Sequence, residues 1–172
     1  MKKNVTITYL EMLASEQLRV KQCPQLVLTV AECVPMQWRM SRSLYQSVGG
    51  PWNWHERMEW SEQQWAKLAA DVNTRMWIAR FQDSIAGYFE LNQHSGDVEV
   101  KYFGLTPDFV GRGLGGYLLT EAIRQAWNWD ADRVWLHTCT LDHKNALPNY
   151  LARGMKVYKT EILQKDLDSE IK

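Results

Sequence analysis

Residues 110–117 read Val-Gly-Arg-Gly-Leu-Gly-Gly-Tyr, and this glycine-rich stretch separates two segments of different periodicity. Upstream, residues 98–105 are rich in β-branched and aromatic side chains and end at the turn signal Thr106-Pro107-Asp108, which predicts a strand. Downstream, residues 118–127 place their apolar side chains on one helical face. The first N–H groups of a helix are unpaired and lie at the positive end of its dipole. Because glycines let this backbone come close to a ligand, the stretch predicts a phosphate site.

The composition favours one soluble domain. A chain of 172 residues with 45% hydrophobic content can form one good core but is short for two. Its 20 basic and 20 acidic residues cancel, so no overall field attracts nucleic acid or an anionic membrane. The three cysteines and four histidines have spacings that indicate neither a disulfide framework nor a metal site. We therefore expect a single cytoplasmic domain over residues 1–172 that binds no nucleic acid, membrane or metal.

Periodicity along the rest of the chain predicts a mixed α/β order. Strand-like segments cover residues 4–9, 26–33, 76–81, 85–91, 133–138 and 155–163, and helical segments cover residues 35–48, 62–71 and 145–153. Ser61 and Gln64 form a capping-box pattern, and Trp60 and Trp65 stand at the two positions of a hydrophobic staple. The order of these segments predicts a mostly antiparallel sheet with flanking helices.

Two motifs make residues 98–158 similar to the GNAT superfamily of acyl-CoA-dependent N-acyltransferases. Its loop signature is Gln or Arg, two residues, Gly, one residue, then Gly or Ala; Gly113 and Gly115 supply the second half, and Val110 stands at the Gln/Arg position. Residues 146–155 match its pattern of Ala, three residues, Tyr, three residues, Gly and a hydrophobic residue. The resemblance implies a GNAT-like mixed α/β fold. It also implies transfer of an acetyl or other acyl group from acetyl-CoA to a primary amine in a ternary complex, without a metal.

The resemblance also implies roles for individual residues. Tyr150 matches the tyrosine that protonates the departing thiolate, and Glu99 lies where some members carry a carboxylate that accepts the amine proton, often through water. His137, at the end of the next strand, is an alternative base. The implied coenzyme-binding residues are Phe103, Gly104, Leu105, Val110, Gly111, Arg112, Gly113, Leu114, Gly115, Gly116, His143 and Asn145.

A tryptophan-rich segment is the candidate acceptor site. The chain has nine tryptophans, and Trp52, Trp54 and Glu56 lie together where the family's acceptor site usually forms. Aromatic faces and a carboxylate suit an amine or ammonium group through cation–π attraction and charge pairing. The same tryptophans would also suit a loop that packs onto the core.

Two other functions fit parts of the sequence. Residues 111–116 satisfy Gly-x-Gly-x-x-Gly, the dinucleotide-binding fingerprint. However, Glu99 and Lys101 interrupt the preceding strand, and residues 106–109 separate it from the glycines, unlike the buried strand of a Rossmann unit. A catalytically silent acyl-CoA sensor on the same fold is the other alternative, against which Tyr150 argues. The sequence does not identify the amine or the acyl chain, and it does not show whether the protein forms a homodimer.

Overall fold

The computed structural model describes residues 2–23 and 28–166. Within them the chain forms the strands and helices β1 (Lys2–Met12), β2 (Thr29–Glu32), α1 (Trp38–Gly49), α2 (Glu62–Ala70), β3 (Thr74–Phe81), β4 (Ser84–His94), β5 (Asp97–Leu105), α3 (Gly115–Asn128), β6 (Arg133–Cys139), α4 (Ala146–Ala152) and β7 (Lys156–Asp166). Short 3₁₀ turns cover Ser15–Gln17, Gly50–Trp52 and Pro107–Phe109. The mixed α/β prediction is confirmed.

The strands form one sheet in the order β2-β3-β4-β5-β6-β1-β7. Among the described strands, β5 and β6 are the one parallel pair, and the other neighbours are antiparallel. The pairing of β5 with β6 runs from Asp97 and Arg133 to Glu99 and Trp135 and then stops, so the two strands separate toward their C-terminal ends. This sheet differs from the parallel sheet of a dinucleotide-binding fold.

A β-bulge changes the direction of the side chains in β5. Leu91 of β4 pairs with Val100 and Glu90 with Tyr102, so Lys101 is the extra residue. Val100 therefore packs in the core under α3, whereas Tyr102 packs with α1 and α2 on the other face. Bulges are common beside active sites because they redirect side chains.

The helices follow the predicted patterns with small differences at their ends. The Ser61 capping box is formed, with the Gln64 N–H donating to Ser61 Oγ, and the rings of Trp60 and Trp65 lie 5.3 Å apart as a staple requires. The predicted start of α1 at Pro35 is wrong, because the chain bends at Val34 and Pro35 and the extended N-cap, Gln37, comes directly before the first helical residue, Trp38. The strand predicted over residues 26–33 is observed as β2, and positions 26 and 27 lie outside the described residues.

Candidate active site

A cavity of about 610 Å³ opens where β5 and β6 separate. Its walls come from the second half of β5, the end of β6, the glycine loop, α4 and the tryptophan-rich segment. The parallel pair at the base of the opening is fixed by Arg133, whose guanidinium donates to the Asp97 carboxylate at 2.8 Å. The topology therefore gathers motifs that lie far apart in the sequence around one cavity.

The glycine loop forms an open backbone surface on one side of the cavity. Gly111 and Gly113 have φ values of 81° and 74°, a region that favours glycine. No heavy atom outside the neighbouring residues lies within 4 Å of the position that a Cβ would take at either glycine. Helix α3 then begins at Gly115 without a capping side chain. The loop therefore has the room and the backbone donors to fit the diphosphate of coenzyme A.

Tyr150 of α4 lines the cavity across from β5. Its side chain is 8% exposed, and its ring centroid lies 6.4 Å from that of Phe103. Burial, and then the negative charge of Asp142, raise the pKa of Tyr150 above its ordinary value. The phenol therefore keeps its proton at neutral pH and can act as a proton donor.

The two candidate bases occupy different depths. Glu99 is 7% exposed and is absent from the cavity lining, whereas His137 lines the cavity. One carboxylate oxygen of Glu99 lies 3.6 Å from His137 Nδ1, and the other lies 3.6 Å from Lys101 Nζ. The strand alternation that sequence analysis used identifies the face of β5 but not this depth. The His137 imidazole therefore faces the cavity, and the Glu99 carboxylate lies behind the imidazole.

The tryptophan-rich segment, residues 52–56, forms another wall of the cavity. The Tyr102 hydroxyl donates to Glu56 Oε2 at 2.6 Å. Burial by itself would raise the pKa of Glu56, but this hydrogen bond and the charge of Lys101 outweigh it, and the pKa lies below its ordinary value. The Trp54 ring packs 4.9 Å from that of Tyr102, so this tryptophan both lines the cavity and joins the core. Glu56 therefore presents an ionised carboxylate at neutral pH.

A buried ion pair anchors this segment to the sheet. Arg57 donates to both carboxylate oxygens of Glu90 in β4, at 2.7 and 2.8 Å. The guanidinium also lies 4.4 Å from the Tyr102 ring centroid and 4.8 Å from that of Trp60. Sequence analysis missed this pair, although a charged residue inside the apolar run 85–91 is a signal that a partner exists.

The cavity collects most of the residues predicted for the site. Its lining includes Trp52, Trp54, Glu56, Phe103, Gly104, Leu105, Val110, Gly111, Gly113, Leu114, Gly115, Gly116, His143, Asn145 and Tyr150. Glu99 and Arg112 do not line it. Arg112 turns away because its guanidinium stacks on Phe109, 4.9 Å from the ring centroid.

Several polar residues of the lining were not predicted as site residues from the sequence. Among them are Lys21, Asn149 and Arg153. The Asn149 amide donates to the Gly115 carbonyl at 3.1 Å and so ties α4 to the start of α3. Arg153 carries a readable signal, since it stands three residues after Tyr150 in the same motif. Lys21 carries no such sequence signal, because only the course of the folded chain after β1 brings it to the cavity.

No three His, Cys, Asp or Glu side chains within residues 2–23 and 28–166 are placed to hold a metal ion. None of the helices in that part of the chain is long and apolar enough to cross a membrane.

Comparison with known proteins gives the family. The Acetyltransferase (GNAT) family pattern matches residues 36–155. A GCN5-related N-acetyltransferase from Sphaerobacter thermophilus has a similar structure, with a TM-score of 0.67 and 20% identity, over 93% of this chain and 50% of that one. A second from Kribbella flavida gives 0.69 and 16%, over 96% of this chain and 60% of that one.

The ribosomal-protein-S18-alanine N-acetyltransferase of Escherichia coli gives a TM-score of 0.57 at 16% identity, over 74% of this chain and 77% of that one. This chain spans 50% of the length of the Sphaerobacter thermophilus protein and 60% of that of the Kribbella flavida protein. At such identities the similarity shows the fold, and no curated protein matches the sequence. Because the family pattern covers more than half of the chain and the fold agrees, the chain belongs to the acetyltransferase (GNAT) family.

Proposed function

We propose that this protein is an N-acetyltransferase that moves an acetyl group from acetyl-CoA to a primary amine by direct transfer in a ternary complex. The observation that carries the proposal is the shared cavity, which the open glycine loop, the protonated Tyr150 and the ionised Glu56 all line. Acyl transfer from a thioester needs a bound coenzyme, an unprotonated amine and a proton for the departing thiolate. Each requirement has a matching group in the cavity.

The coenzyme arm would lie along the free edge of β5. Beyond Glu99 this strand pairs with β4 but not with β6, so backbone groups of residues 103–105 lie along the opening. Backbone N–H and C=O groups need partners, and pantetheine offers amide groups of matching chemistry. The backbone of residues 111–116 would hold the diphosphate, and His143 and Asn145 would flank the arm from the α4 side.

The acceptor would enter from the side of Glu56. Its carboxylate attracts a cationic amine, and the faces of Trp52 and Trp54 favour the same charge. An amine that arrives protonated must lose one proton before it attacks the thioester carbonyl. The proton acceptor therefore has to lie within reach of the cavity.

We assign proton acceptance to Glu99 and His137 acting together. His137 faces the cavity and takes the proton from the amine, directly or through a water, and Glu99 stabilises the resulting imidazolium from 3.6 Å behind. Glu99 is then a positioning residue, because it acts on the reaction only by stabilising the His137 imidazolium.

A double-mutant cycle tests this assignment. Glu99→Gln and His137→Gln should each lower kcat near neutral pH by about a hundredfold or more, because general-base catalysis is lost. Groups that act as a unit are not additive, so the double variant should be no slower than His137→Gln alone. The losses should shrink at alkaline pH, where solvent can deprotonate the amine. His94→Gln, at the exposed end of β4, is the matched control; additive losses would mean that Glu99 acts without His137.

The function itself is tested by thiol release from acetyl-CoA with a panel of amines, in the wild-type protein and in Tyr150→Phe. The wild-type protein should release thiol with at least one amine. The substitution keeps the ring and removes the donor, so kcat should fall by about tenfold to a hundredfold with little change in KM. We expect a loss at or below the lower limit of the general-acid range, about a hundredfold, because a thiolate is a good leaving group.

Tyr158→Phe, on β7 and outside the cavity lining, controls for loss of a phenol. The amine should be a poor one, so that chemistry limits turnover. Full kcat in Tyr150→Phe would make Tyr150 a packing residue. Stabilisation by acetyl-CoA without thiol release for any amine would instead favour the silent sensor.

A further inference from the structure

The glycine loop brings no cationic side chain into the cavity. Val110 stands where the family signature has Gln or Arg, and the Arg112 guanidinium stacks on Phe109 outside the lining. A diphosphate carries negative charge that backbone N–H groups alone compensate only in part. A second source of positive charge is therefore expected near the start of α3.

Two cations from distant parts of the sequence meet at that place. A Cβ built at Gly116 would lie 2.4 Å from Lys21 Cδ and 2.4 Å from Arg153 Nη1, so both side chains lie against the first turn of α3. Both residues also line the cavity. A side chain at Gly116 would displace the two cations from this position.

Backbone contacts hold the two segments in place. The Lys21 N–H donates to Thr120 Oγ1 at 3.0 Å, and the Thr120 hydroxyl donates to the Gly116 carbonyl at 2.8 Å. The Arg19 N–H donates to the Arg153 carbonyl at 2.9 Å. The chain after β1 is thus fastened to both α3 and the end of α4, and the position of Lys21 is part of the fold.

No carboxylate of the described residues pairs with either cation. Within residues 2–23 and 28–166, neither Lys21 nor Arg153 forms an ion pair, whereas Arg57, Arg75, Arg124 and Arg133 do. The Arg153 Nε is buried and lacks a hydrogen-bond partner in the described chain. Desolvation lowers the pKa of Arg153. An anionic ligand would supply the missing acceptor and the missing charge.

We propose that Lys21 and Arg153 form a phosphate clamp that binds the diphosphate of coenzyme A and replaces the loop cation absent at Val110. This inference rests on the proposed function, since it takes coenzyme A as the ligand. The diphosphate is the ligand group because both cations lie beside Gly116, at the helix start where the N–H groups converge. Arginine can contact two oxygens at once, and lysine adds a point charge.

Calorimetry with coenzyme A and with 3′-dephospho-coenzyme A tests the phosphate clamp in the full chain. Lys21→Ala and Arg153→Ala should each raise the Kd for both ligands by about tenfold, as expected for loss of one charge-assisted contact. Both variants should also show a weaker dependence of Kd on salt concentration. Arg153→Lys keeps the charge and should recover part of the affinity.

Arg19→Ala is the matched control, because it removes one cation from the same segment outside the cavity lining. Its Kd should equal that of the wild-type protein. If the increase in Kd disappears with 3′-dephospho-coenzyme A, the two cations bind the 3′-phosphate, and the diphosphate proposal is overturned. Unchanged Kd in folded variants would overturn it as well. Failure of the wild-type protein to bind coenzyme A would instead remove the proposed function, and the phosphate clamp with it.

Discussion

Replacement of Gly115 with glutamate should weaken coenzyme A binding by more than about a hundredfold, or about 3 kcal/mol, while the protein stays folded. Gly115 is the first residue of α3, where the diphosphate is proposed to meet the helix. A carboxylate there would repel the ligand and fill its space. Folding should tolerate it, because a Cβ at Gly115 would meet only Asn149 Nδ2, at 3.7 Å, and acidic side chains suit a helix start.

The measurement is calorimetry with coenzyme A beside a thermal melting curve for each variant. Gly115→Ala is the matched control, since it adds only the methyl group and should bind much more tightly than the glutamate variant. Gly113 is a poorer position for this test, because its φ of 74° would strain any other residue. A folded Gly115→Glu protein with wild-type affinity would show that the glycine loop is not the coenzyme site.

The sequence predicts the loop well because its signals are local. Glycines at fixed spacing between a strand pattern and a helix pattern define both the backbone and its neighbours within about 20 residues. The start of α2 is equally local, since Ser61 and Gln64 cap each other within one turn. Tyr150 belongs to the same class, because its motif lies on one short helix. The place of each of these features in the fold therefore depends on residues that are close in sequence.

Features that depend on long-range contacts could not be predicted in the same way. Strand alternation placed Glu99 on a face of β5, but its depth depends on where β6 leaves β5 and puts His137 in front. Arg112 lies in the predicted loop, and its direction is decided by stacking on Phe109. Lys21 reaches the first turn of α3 because its N–H pairs with Thr120, 99 positions later. The sequence shows which residues lie close together along the chain, but it does not show the direction in which each side chain points.

Glu90→Gln should lower the free energy of unfolding by about 3–5 kcal/mol, the usual cost of removing one partner of a buried ion pair. The side chains of Arg57 and Glu90 are only 7% and 1% exposed, so water cannot replace the lost partner. The substitution keeps the shape of residue 90 and leaves the Arg57 charge uncompensated. Denaturant unfolding measures the effect, and Glu59→Gln, an exposed position in the same segment, is the control for the charge change.

The double variant Arg57→Met with Glu90→Met separates the charge effect from the packing effect. It removes both charges together and should recover most of the stability, because an apolar pair of similar volume avoids the desolvation cost. A Glu90→Gln protein within about 0.5 kcal/mol of wild type, the range of ordinary surface substitutions, would contradict the assigned role of the ion pair.

Loss of the Arg57–Glu90 ion pair should weaken binding of the amine acceptor more than binding of the coenzyme. Arg57 follows Glu56 directly, and its guanidinium lies 4.4 Å from the ring of Tyr102, the hydroxyl of which holds the Glu56 carboxylate. In conditions where Glu90→Gln remains folded, a loosened segment should raise KM for the amine while KM for acetyl-CoA changes little, because the rings that Arg57 contacts, among them Trp60 and Tyr102, lie outside the glycine loop. Equal increases in both constants would mean that the ion pair supports the whole cavity rather than the acceptor segment.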